Sequence, residues 1–138
     1  MSKEALFICG ILIITIPTIE FGGTFLLRLA SGWKGIPFTG LQKSFFRAGH
    51  AHAGVLVILA LLVQFLVDAA GMDSSTAWLV RNGTAAAPIL ISAGFFFAPL
   101  GGDGTKLNRL VWLIYAGATS LAVSMVVLGL ALISAGRA

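Results

Sequence analysis

The chain has 138 residues, of which 58% are hydrophobic and 10% charged, with nine Lys and Arg against five Asp and Glu and a formal net charge of +4. Soluble domains carry about 25% charge, so this composition and a mean hydropathy of +1.00 exclude a soluble catalytic domain and indicate an integral membrane protein. The cations form no basic stripe, so nucleic acid is not expected as a partner, and the single cysteine, Cys9, excludes an intramolecular disulfide or a cysteine metal cluster.

At roughly 20 residues per span, the length accommodates four helices. The expected fold is an all-α, integral membrane four-helix bundle forming one domain over residues 1–138. The first apolar run predicts a helix over 5–27, broken only by Thr15, Pro17, Thr18 and Glu20. Lys3 precedes it as in a signal peptide, but Glu4 cancels that charge and no small-x-small cleavage pattern follows. A loop with Arg28, Trp33, Lys34 and Lys43 leads to Thr39 and Gln42, spaced as a capping box. Helix two is therefore expected over 40–70, stopping at Gly71. Its 31 residues would measure roughly 46 Å against roughly 30 Å of hydrocarbon, which puts its first turns in the interface.

Asp73, Ser74 and Ser75 read as turn and cap residues, and Trp78, Arg81 and Asn82 as an interfacial turn before a third helix over 84–100. Gly101 to Thr105, "GGDGT", lacks the lysine and spacing of a phosphate loop and reads as a turn. The fourth helix is expected over 108–134.

Orientation follows from the cations. Arg28, Lys34, Lys43, Arg47, Lys106 and Arg109 belong to loops one and three, whereas Lys3, Arg81 and Arg137 belong to the opposite side. The positive-inside rule then places both termini on the outer side of a bacterial inner membrane.

Polar residues inside the spans carry the functional signal. From Arg47, steps of three or four residues reach His50, Gly54, Val57, Leu61, Gln64 and Asp68, one continuous stripe of helix two. Ionisable side chains at the bilayer centre cost about 2.5 to 3.5 kcal/mol each on insertion scales, so the stripe is expected to face the bundle interior. His52 lies roughly 200° around the helix from His50 and faces elsewhere, toward lipid, headgroups or another chain. Two histidines clamp one ion from a helix at i,i+4 spacing, which this pair lacks.

Glu20 and His50 stand at similar depth near the ends of their helices, so a site is expected from Glu20, His50 and Arg47, with His52, Gln64, Asp68 and Asp103 as secondary members. Three chemistries suit it: proton handling, a metal ion held by His50 and Glu20, or a b-type haem with His50 or His52 as axial ligand. Ala48, Gly49, Ala51, Ala53 and Gly54 would admit a macrocycle or a neighbouring helix at close range. Alternatively, His50 and Glu20 form an interhelical hydrogen-bonded pair that fixes packing.

The stretch "FFRAGHAHAGVLVIL", Phe45 to Leu59, resembles a hallmark of small, uncharacterised bacterial four-helix membrane proteins. Its histidine-x-histidine is also similar to the haem-ligating helix of haem-copper oxidase subunit I, which implies a ligand role for His50 or His52. Four helices with a basic first loop and an Arg-Ala-x-His start to helix two resemble the trimeric membrane-associated proteins of eicosanoid and glutathione metabolism, although their following asparagine and glutamate have no counterpart here. The leading expectation is a cytoplasmic-side Glu20/His50 site for protons, an ion or a haem, in a homo-oligomer or a subunit of a larger membrane complex. A membrane enzyme is the last of the readings.

Overall fold

The computed structural model describes residues 1–32, 35 and 37–137. Trp33 and Lys34 of the first loop lie outside the described residues, which are all-helical and contain no strand. The four long helices are α1, Lys3–Ala30; α2, Gly40–Ala69; α3, Ser74–Phe97; and α4, Trp112–Ala135, the last preceded by a 3-10 turn over Arg109–Val111. Each run is long and apolar enough to cross a membrane.

Local chemistry sets the helix boundaries. Ser2 caps α1 by accepting from Ala5 N. Thr39 and Gln42 form the reciprocal capping box at the start of α2, with Thr39 Oγ1 accepting from Gln42 N and Gln42 Oε1 accepting from Thr39 N. Gly71, at φ 61°, ends α2 in the left-handed conformation that glycine adopts without a Cβ penalty.

The third helix departs from expectation. It begins at Ser74, ten residues before the expected Thr84, because Asp73 Oδ1 caps it by accepting from Ser75 N and Thr76 N. Trp78, Arg81 and Asn82 are helical and not an interfacial turn: the Asn82 amide donates to Trp78 O within the helix, and Arg81 turns inward. The helix ends at Phe97 instead of Leu100. Asn108 Nδ2 donates to both Phe97 O and Leu100 O, closing the turn that follows, while its Oδ1 accepts from Leu110 N to begin the next element.

Neighbours in sequence are neighbours in space. The principal packing runs α1 on α2, α2 on α3 and α3 on α4; α1 meets α3 at few points and does not touch α4 among the described residues. The bundle is thus an open row with α2 and α3 at its centre. Glycines let α3 and α4 approach closely: a methyl group on Gly94 would fall 2.5 Å from Ile114 Cγ1, and one on Gly117 2.7 Å from Ile91 Cγ1. Ser120 Oγ donates to Gly83 O across the same seam.

Ser2 N donates to Asp68 at the end of α2, and Ala70 and Met72 share a cavity wall with Ser134 and Ala135. Both termini therefore lie at the end of the bundle that carries the connection between α2 and α3, residues 70–73. At the opposite end Thr39 Oγ1 donates to Gly104 O and Gln42 Nε2 to Pro99 O, tying loop three to the start of α2.

Candidate functional site

The stripe on α2 does turn inward. Val57 and Gln64 are buried, His50, Gly54, Leu61 and Asp68 are half-buried, and Arg47 at its end is exposed. Its middle packs on α1, where Ile8 and Leu12 meet Val57 and Ala60.

His50 occupies the α1–α2 seam opposite Gly22 and Gly23. A methyl group on Gly23 would lie 3.3 Å from its Cε1, and one on Gly22 3.4 Å from its Nδ1. The two glycines are therefore the space into which the imidazole fits. Among the described residues His50 makes no hydrogen bond. Glu20 is exposed on α1, and no hydrogen bond or ion pair joins it to His50. Three residues separate Glu20 from Gly23, about 60° around the helix, so its carboxylate leaves from the flank of the seam and not from its centre.

His52 faces away from His50, toward α3. Its Nδ1 lies 2.7 Å from Ala48 O and its ring stacks on Phe95 at 4.9 Å between centroids. Gly49 receives Phe95 and Phe96, since a Cβ there would fall 2.9 Å from Phe95 Cβ. At this point the small residues of the motif accommodate a neighbouring helix. Asp103 stays in its turn: Oδ1 accepts from Thr105 N and Oγ1, and the Thr105 hydroxyl and amide hold its carboxyl below the usual carboxylate range. No group of three His, Cys, Asp or Glu able to hold a metal ion occurs among the described residues.

The far end of the stripe holds a network whose centre the sequence assigned elsewhere. Arg81 of α3 is 3% exposed; its Nη1 donates to Gln64 O at 2.9 Å and to Gln64 Oε1 at 3.3 Å, and its Nη2 to Asp68 Oδ1. Glu4 of α1 adds a carboxylate 3.9 Å from Arg81 Nε, a nitrogen that makes no hydrogen bond among the described residues. Two carboxylates thus flank one guanidinium, which offsets the cost of burying its charge in a helix of spanning length. The available sequence signal was spacing: Ala77, Arg81, Thr84, Pro88 and Ile91 recur at three or four residues, and all five are buried.

An apolar groove of about 770 Å³ lies between α1 and α3, floored by Ala53 and Val57 of α2. No family model, no curated protein and no solved structure matches the chain.

Proposed function

We propose that the chain is a small multi-pass protein of a bacterial inner membrane, with both termini on the outer side, that handles protons at His50. The observation that carries this reading is the setting of the imidazole, half-buried in a spanning helix, cradled by Gly22 and Gly23 and free of hydrogen bonds among the described residues. Histidine is the side chain whose ordinary titration spans pH 5 to 8. Arg47, one turn away, and Glu20, on the flank of α1, supply the neighbouring charges at the loop-one end. The inward burial of Arg81 supports the orientation, because it removes one cation from the outer-side loops and widens the asymmetry on which the positive-inside rule operates.

The test uses the purified protein in liposomes loaded with a pH-sensitive dye. An external acid pulse should change the internal signal faster than in empty liposomes, and His50→Gln should abolish the difference while His52→Gln keeps it. Identical responses from the wild type and His50→Gln overturn the proposal. An absorption spectrum of the same preparation is the companion measurement, and a Soret band would replace the proton reading with haem ligation.

The open row favours assembly as well. Because α1 and α4 do not meet among the described residues, a homo-oligomer or a larger membrane complex would close the bundle from its two ends. Light scattering in lipid nanodiscs should give a mass above that of one chain, and a monomer mass would remove this second reading.

A further inference from the structure

The 770 Å³ groove does not stop at mid-membrane. It passes from Glu4 and Trp78 at the terminal end to Thr18 and Ser92, and Thr18 also lines a second cavity of about 340 Å³. Together they follow α1 from Glu4 to Phe25, roughly 32 Å at 1.5 Å per residue, which is about the hydrocarbon thickness.

The two sections differ in chemistry. The walls of the long section are mainly aliphatic, whereas six of the nine described residues lining the short one are phenylalanine. These rings hold one another in place: Phe25, Phe38 and Phe46 meet edge to face, and Phe46 stacks on Phe96 at 5.8 Å. Among the described residues lining the ring pocket, Thr18 is the one with a polar side chain.

We propose that this groove binds a neutral, membrane-dissolved molecule with a flat unsaturated ring and a long apolar tail, of the prenyl-quinone kind. The ring lies among the phenylalanines, and the tail follows the α1–α3 groove. Ring stacking adds attraction beyond area burial, which favours a planar head over a saturated chain at the aromatic end. A phospholipid has no flat group to set among the phenylalanines, so its acyl chains would fill the aliphatic section but gain no stacking in the ring pocket. His50 packs against Gly22, a wall residue of the ring pocket, so a bound ring lies one glycine backbone from the imidazole. Binding depends on the phenylalanines and the groove, and stands independently of proton handling at His50.

The experiment measures binding of menaquinone-4 to the protein in phosphatidylcholine nanodiscs. The readout is the amount of quinone retained after gel filtration as its total concentration is raised. Saturable binding is expected, roughly two- to tenfold weaker in Phe97→Ala, a variant at a half-exposed wall position whose thermal melt is measured alongside. A saturated hydrocarbon of equal length should compete weakly. Absence of saturable binding by the wild type overturns the proposal, as does equal competition by the hydrocarbon or a tightly retained phospholipid that menaquinone-4 does not displace.

Discussion

Arg81 and Asp68 meet across the α2–α3 interface, the guanidinium almost wholly buried and the carboxylate about a quarter exposed. This pair, with Gln64 beside it and Glu4 reaching over from α1, joins three helices at the terminal end of the bundle. Removing one partner of a buried pair strands the other charge, and that penalty commonly reaches 3 to 5 kcal/mol.

Arg81→Ala should therefore destabilise the protein by about 3 kcal/mol, the lower end of that range, because Asp68 keeps some contact with solvent. Asp68→Asn should cost less. The double variant Arg81→Ala, Asp68→Asn should be more stable than the sum of the single effects predicts, since it leaves neither charge behind. Denaturation of the four proteins in one detergent checks this, and strict additivity would show that the pair is uncoupled.

Glycine substitutions should separate internal packing from surface. At Gly94 a methyl group would fall 2.9 Å from Ile114 N, a backbone atom that cannot swing aside. Gly94→Ala should lower stability by about 1 to 3 kcal/mol, the usual range for overpacking. Gly54→Ala meets nothing within 4 Å in this chain. It should be neutral or slightly stabilising through helix propensity, and a loss of oligomer mass on that substitution would locate a contact between chains.

His50→Ala should damage function or assembly more than His52→Ala. The first empties the seam against Gly22 and Gly23; the second removes a stacked ring from an exposed position. Parallel measurement of proton flux and oligomer mass decides the order, and a larger effect at His52 contradicts it.

Asp73 gives a pH dependence with a definite sign. The Thr76 side chain and amide, together with Ser75 N, hold its carboxyl below the usual carboxylate range. The folded-state pKa is thus lower than that of the unfolded chain, near 3.9. Its capping contribution is present above that value and fades as pH falls through the lower folded value. The stability gap between wild type and Asp73→Ala should be full at pH 7 and close in acid, as thermal melts across pH 2 to 7 would show. A gap independent of pH would mean that the carboxylate charge does not matter to the cap.

Much of this molecule follows from local sequence. Apolar runs give four spanning-length helices; Thr39 with Gln42 specifies the start of α2, Gly71 its end, and the i,i+3/i+4 pattern the inward face of its polar stripe. These are properties of single segments, fixed by backbone hydrogen bonding and by the cost of polar atoms in hydrocarbon. Which neighbour each polar side chain meets depends on helix rotation and depth, which one segment does not encode. Tertiary packing therefore made Arg81 a buried member of α3 instead of a loop cation, set His50 on two glycines without a bond to Glu20, and turned His52 onto Phe95. It also left α1 apart from α4 and opened the groove along α1 and α3, because close glycine contacts draw α4 toward α3 while α1 is held mainly by α2.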